Sequence, residues 1–471
     1  MADIPQAVRS WIEGVTVGTF VGGRQVAAGG RSGHFVDVER GGEALKLFLQ
    51  LGRGAEGVGT SFLPIEREAE VMRALAPSGL PVPKVWGVDG ARQALLVDRV
   101  EGVTWMHPPA TGEEQLSVAQ DFIRHLATWH GLDARAMDLP SFQPVLSIRE
   151  HQRQTVAEMR ARAEAGGGEI EPVLRMSLEF LERELPAYDG PPVLVQGDTG
   201  PGNFMYRDGK VAGIIDWELA HLGDPMDDIA WLSWRTTQHT FTNLPDRLAE
   251  YEALSGNRID EDRVRYYRVN ACVRLASSGS GQWGGFGLPE MGATAPRAAS
   301  NKPITAESDR SADGSAFIFT ILHRRMRLEA LMAALKLPFP AEVELDEAPA
   351  KAYARMYEDI LGTLQVAAKR TEDRTAANLI KGVARSVKYL KEADRNASHF
   401  DALERDDISQ MLSRRFATLI EARQALYAAA VTRTVDDEAY LFYHWRRLSR
   451  DAHIMRAAAG SIHGRTWPAL H

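Results

Sequence analysis

Two short apolar runs, Val193–Val195 and Val211–Ile215, each lead into an acidic residue, and no other feature constrains this chain as strongly. The turn Gly197-Asp198-Thr199-Gly200-Pro201-Gly202-Asn203 follows the first run, and the second run ends at Asp216. Between them, Phe204-Met205-Tyr206 and Arg207-Asp208-Gly209-Lys210 predict a hairpin, because Asp-Gly between extended runs favours a tight turn. Asp198, Asn203 and Asp216 are therefore presented at strand ends and on loops, where polar groups reach a ligand. Asp, Asn and Gly also dominate ordinary turns. One kind of turn does not account for the ordered pieces Gln196-Gly197-Asp198, Asn203, Ile215-Asp216-Trp217-Glu218 and Gly223-Asp224-Pro225-Met226-Asp227-Asp228-Ile229-Ala230.

The spacing suits phosphoryl transfer. That chemistry needs a carboxylate beside the acceptor hydroxyl and oxygen ligands for the magnesium on the nucleotide phosphates. Kinase loops set the base Asp five residues before a metal-binding Asn, the step from Asp198 to Asn203. Asp216, one hairpin later, suits a second metal ligand. The ordered pieces resemble the aminoglycoside phosphotransferase family, whose motif runs His-Gly-Asp, Asn, Ile-Asp-Trp-Glu and Gly-Asp-Pro-x-x-Asp-x-Ala. Gln196 stands where that family has His, and Gln still hydrogen-bonds. The resemblance covers roughly residues 15–335. It implies an α+β, bilobal protein-kinase-like fold, with a small β-rich lobe, a large helical lobe and an added C-terminal helical region. It also implies ATP and Mg2+ as cofactors, with Asp198 catalytic and Asn203 and Asp216 holding the metal.

Further parts fit the same frame. Residues 4–14 predict a short helix and residues 15–50 a β meander. Gly29-Gly30-Arg31-Ser32-Gly33 is a turn whose backbone N–H groups could approach phosphates, and equally a plain hairpin turn. The resemblance makes it the nucleotide loop, with Gly30 and Ser32 over the phosphates. Lys46 is the one cation in the apolar strand Glu43–Leu49; it suits phosphate pairing, and also a solvent-facing place on an alternating strand. Glu68, on a helix entered at Pro64, is the expected partner of Lys46, with Glu66 and Glu70 as competitors. Arg99, Val100 and Glu101 resemble the linker whose backbone pairs with adenine. His130 reads as a helix-end structural residue, Asp224 as a helix cap, and Asp228, by the resemblance, as a brace of the catalytic loop.

Length and pattern give expected domains at 1–103 (nucleotide-binding), 104–345 (catalytic and acceptor-binding) and 346–471 (helical extension). Residues 149–185 predict a solvated helical pair, and residues 278–315 a long Gly, Ser, Ala and Pro-rich loop. The formal charge of −8 argues against a general nucleic-acid binder. The first residues lack a signal-peptide pattern, and no apolar run nears the roughly 18 residues of a membrane span. Cys272 is the only cysteine, which fits a reducing cytoplasm. The Gly-Gly-x-Ser loop and the segment RYYRVNACVRLASSGSGQW look most like the kinase-like amino-terminal domain of acyl-CoA dehydrogenase family members 10 and 11. That resemblance implies a small-molecule hydroxyl acceptor, a hydroxyacyl-CoA or related hydroxy acid. An aminoglycoside or amino alcohol is the alternative acceptor. The competing class is a non-catalytic nucleotide-binding scaffold that acts through residues 346–471, the segment also expected to hold a homodimer or protein partner.

Overall fold

The computed structural model describes residues 4–471 apart from 27–30, 53–63, 106, 146, 166–168, 278–314 and 341–344. Packing divides the chain into two units, one of residues 1–155, 184–271 and 467–471, the other of residues 156–183 and 272–466. The expected boundary at 345/346 falls inside the second unit.

The first unit opens with helix α1 (Gln6–Thr16), entered at Pro5. An antiparallel sheet follows, of β1 (Thr19–Val26), β2 (Ser32–Arg40), β3 (Glu43–Leu51), β4 (Val85–Asp89) and β5 (Ala94–Asp98), in the order β1-β2-β3-β5-β4. Successive strand residues point to opposite faces. Val36, Val38, Leu47, Leu49 and Leu96 thus form one face, and α1 buries Val8 and Ile12 against it. Lys46, Phe48 and Gln50 belong to the other face of β3. Helix α2 (Ile65–Leu75) buries Ile65, Ala69, Met72 and Leu75 at helical spacing, together with Glu68.

Gly102 begins the passage out of this sheet. Its φ is +151°, and a Cβ there would lie 2.6 Å from the Tyr206 carbonyl oxygen, so only glycine fits. Strand β6 (Val103–Thr104) then joins a three-stranded sheet with β8 (Phe204–Arg207) and β9 (Lys210–Ile214). A two-stranded sheet pairs β7 (Val193–Val195) with β10 (His221–Gly223). Helices α3 (Gly112–His130), α6 (Pro225–Gln238) and α7 (Leu244–Ser255) complete the surroundings of these short strands. Trp105, Phe122, Phe204 and Phe241 pack there ring against ring, with Phe122 and Phe204 stacked at 4.5 Å. The expected kinase-like plan is present: a small antiparallel sheet, then a mostly helical chain with further helices towards the C-terminus.

Helices α4 (Ile148–Glu164), α5 (Pro172–Arg183) and α8 (Glu261–Ser277) follow in the order of the chain. The expectation of a solvated pair at 149–185 fails for α5, which buries Val173, Met176, Leu178, Phe180 and Leu181 along an apolar stripe. The second unit also holds α9 (Ser315–Ala334), α10 (Ala354–Arg370), α11 (Arg374–Met411), α12 (Leu419–Val431) and α13 (Asp437–Ala459). Glu404 is its buried polar centre, held by Arg423 Nε and Nη2, each at 2.7 Å, and by the Tyr443 hydroxyl at 2.7 Å. The predicted loop at 278–315 lies outside the described residues but for Ser315, which begins α9.

Candidate active site

Strand β7 delivers the loop of residues 196–203. Gly197 makes the first turn at φ +80°, where a Cβ would stand 2.5 Å from the Leu219 carbonyl oxygen. The loop then folds onto itself. Asn203 donates from Nδ2 to the Asp198 backbone carbonyl (2.7 Å) and to its carboxylate (2.8 Å). The Ile215 N–H donates to the Asn203 carbonyl at 3.0 Å, which sets Asp216 beside the same loop. Asp216 itself has φ +64°, a left-handed backbone that is costly for most side chains and tolerated by Asp. The three residues singled out from spacing therefore converge.

Gln196 fulfils the expected hydrogen-bonding role. Its Nε2 donates to the Ile215 carbonyl at 2.7 Å, so it ties the loop to the residue before Asp216. Asp228 is the main brace. Its carboxylate accepts from the Gln196 and Gly197 N–H groups, both at 2.9 Å, and from Thr199 Oγ1. It also contacts His130 Nε2 at 3.0 Å and Trp129 Nε1 at 3.3 Å. Burial pushes the Asp228 pKa up, but these donors outweigh it and the net shift is downward. His130 is the last residue of α3, buried between Asp228 and the Tyr251 hydroxyl, a structural place. Asp224 caps α6 by accepting from the Met226 N–H and is gripped by Arg263.

Arg235, on α6, was not foreseen. It holds both carboxylate oxygens of Asp198, one of them through Nε at 2.7 Å. Asp228 and Arg235 lie seven residues apart, two turns of one helix face, and that spacing was the available sequence signal. Burial opposes the charge of Arg235, yet Asp198, Asp216 and Glu218 together raise its pKa.

The nucleotide-side expectations are met unevenly. Glu68 does not pair with Lys46. It pairs with Arg31 at 3.0 Å, and both side chains are buried. Lys46 instead lies 3.7 Å from Glu101, with both side chains half exposed. The reason is register along β3: the residue on that face that hydrogen-bonds Glu68 is Gln50, four positions further on. Ser32 is the first residue of β2 and accepts from Gln25 at 3.4 Å; Gly30 lies outside the described residues. The Arg99 N–H donates to the Lys46 carbonyl at 3.1 Å, Val100 covers Gly213, and Glu101 accepts from Arg207 at 3.2 Å. Arg31 also stands 3.8 Å from Glu218. Burial, reinforced by Asp216, pushes Glu68 up to about 7. The same causes, joined by Glu68, push Glu218 up to about 9. Glu68 and Glu218 thus both feel the negative charge of Asp216. Among the described residues, no cluster of three or more His, Cys, Asp or Glu could hold a metal by itself.

Known proteins place this arrangement. The model of the phosphotransferase enzyme family, APH, matches residues 23–267, just over half of the chain. Mouse acyl-CoA dehydrogenase family member 10 is 29% identical over 179 residues, 36% of this chain and 16% of that protein. Rat acyl-CoA dehydrogenase family member 11 is 26% identical over 180 residues, 36% of this chain and 23% of that protein. The chain therefore matches less than a quarter of the length of either relative. Among solved structures, a putative aminoglycoside phosphotransferase from Ralstonia eutropha is 18% identical, covering 71% of this chain and 99% of its own, with a TM-score of 0.49. With the family match extending across the convergent loop and its brace, the chain belongs to the phosphotransferase enzyme family.

Proposed function

We propose that this phosphotransferase uses ATP and magnesium to phosphorylate a hydroxyl group of a small molecule, with a hydroxyacyl-CoA or related hydroxy acid as the acceptor. The convergence of Asp198, Asn203 and Asp216 carries this reading. The donor set fits Mg2+, which takes one or two protein oxygens and completes its shell with phosphate and water. Asn203 and Asp216 would hold it, and the strained ionisation of Glu218 beside Asp216 marks a place where added positive charge is favourable. When bound, the ion neutralises charge on the transferring phosphoryl group.

Asp198 orients the acceptor hydroxyl and accepts its proton. Its oxygens already receive Arg235 and Asn203, but each carboxylate oxygen has two acceptor positions, so the hydroxyl has room. Ser32 with Gly30 would cover the phosphates, and the backbone of Arg99, Val100 and Glu101 would meet adenine. Arg235 does not select the acceptor's charge, because Asp198 already pairs with it and Asp216 and Glu218 lie nearby. The names of the acyl-CoA dehydrogenase relatives support the hydroxyacyl-CoA or hydroxy-acid class.

The test is ADP release from ATP and Mg2+ across hydroxyacyl-CoAs, free hydroxy acids, aminoglycosides and amino alcohols. The expected result is stimulation by the hydroxyacyl or hydroxy-acid class. In Asp198→Asn the stimulated rate should drop by about 10²–10⁴-fold. Stimulation by aminoglycosides alone would keep the reaction and reject the acceptor. Measurable ATP binding with no stimulation by any class would favour the scaffold instead.

A further inference from the structure

The buried cation beside Glu68 does not come from the strand. Lys46 is the only lysine of β3, and its side chain is half exposed beside Glu101. Gln50 occupies the position that faces Glu68. It is neutral, it hydrogen-bonds the Glu68 carboxylate, and its Oε1 is buried without a hydrogen-bond partner. The positive charge arrives from the opposite direction. Arg31 immediately precedes β2. Its side chain is only 8% exposed, bonded to Glu68 at 3.0 Å and 3.8 Å from Glu218. A long flexible cation is seldom buried this far unless a carboxylate holds it in place.

We propose that Arg31, positioned by Glu68, is the cation that binds the nucleotide's phosphates, in the place first assigned to Lys46. The inference rests on the phosphotransferase reading above and adds to it the residue that takes the phosphate charge. A guanidinium is a planar fork of five N–H donors, able to serve a carboxylate along one edge and phosphate oxygens along another. Glu68 fixes the plane of the fork. Glu218, next but one to Asp216, sets its other side towards the residues proposed to hold magnesium. A neutral Gln50 follows from the same logic, because a lysine there would bring a second buried cation against Arg31.

The experiment measures equilibrium affinity for ATP with Mg2+ and for adenosine by titration calorimetry, in wild type, Arg31→Gln, Lys46→Ala and the double variant Arg31→Gln/Gln50→Lys. Adenosine has no phosphates, so it reports an intact base site in each protein. Arg31→Gln is expected to weaken ATP by about 10–100-fold, the value of a hydrogen-bonded charge, with adenosine affinity retained. The double variant is expected to recover most of the lost ATP affinity, since Gln50 faces the same carboxylate. ATP affinity unchanged in Arg31→Gln, or a loss confined to Lys46→Ala, overturns the proposal. Should Arg31→Gln fail to fold, Arg31→Lys decides: a point charge without the fork lowers ATP affinity alone, and equal affinity overturns the proposal. A wild type that binds neither ligand rejects the phosphotransferase reading itself, a result distinct from any of these.

Discussion

Glu218 shows how one side chain reports the charge of the whole site. Burial first, then Asp216 and Glu68, raise its pKa from 4.5 to about 9. A carboxylate whose folded pKa lies above its unfolded one binds more protons when folded, so it lowers stability as pH rises through that interval. Glu218→Gln copies the protonated form and removes the effect. The variant should therefore gain on wild type steadily between pH 5 and 8, by at most about 1.4 kcal/mol per pH unit. Urea denaturation at several pH values reads this directly, and a difference independent of pH would contradict it. Saturating Mg2+ and nucleotide should shrink the gain, because added positive charge relieves the same repulsion.

Helix α6 is the element on which the site depends. Asp224 caps its first turn, that same turn brings Asp228 to the loop, and its last full turn brings Arg235 to Asp198. Asp228→Ala should cost about 3–5 kcal/mol, because it strands two buried backbone N–H groups and the His130 contact. Asp228→Asn should cost less, and its deficit should close as pH falls below about 4, where the depressed pKa of Asp228 ceases to favour the folded state. Denaturant midpoints across pH test both. How far sequence foretold the site follows from range. Asp198, Asn203 and Asp216 lie within one turn and one hairpin, so local turn chemistry already places them. Glu68 and Lys46 come from different elements, and a strand offers several residues on one face. Which of Lys46, Phe48 or Gln50 meets α2 depends on how far the strand runs past the helix, and local pattern does not contain that distance. The helix at 4–14, the apolar strand carrying Lys46 and the helix entered at Pro64 were legible because local pattern and turn signals mark them; Arg31 was missed because a lone cation among glycines has no period. The burial of α5 was hidden by the charges that α4 and α5 share.

At the scale of the molecule, the first unit is discontinuous in sequence: its last segment, 467–471, is separated from Ala271 by residues of the second unit. Trp467 packs edge-on to Trp234 of α6 at 5.4 Å, and the Arg268 guanidinium lies over its ring at 4.6 Å. Arg268 also donates to the Pro468 carbonyl at 3.0 Å. Trp467→Ala should cost about 1–3 kcal/mol from the ring pair and the cation. Equilibrium unfolding checks it, and a change below a few tenths would show that the segment is only laid on. The separation has a consequence in time. Trp467 leaves the ribosome roughly 230 residues after Trp234, which at ordinary elongation rates is roughly 10–50 s. Throughout that interval the nascent helix carrying Asp228 and Arg235 lacks one wall, and its tryptophan face is open to whatever chaperone attends the growing chain.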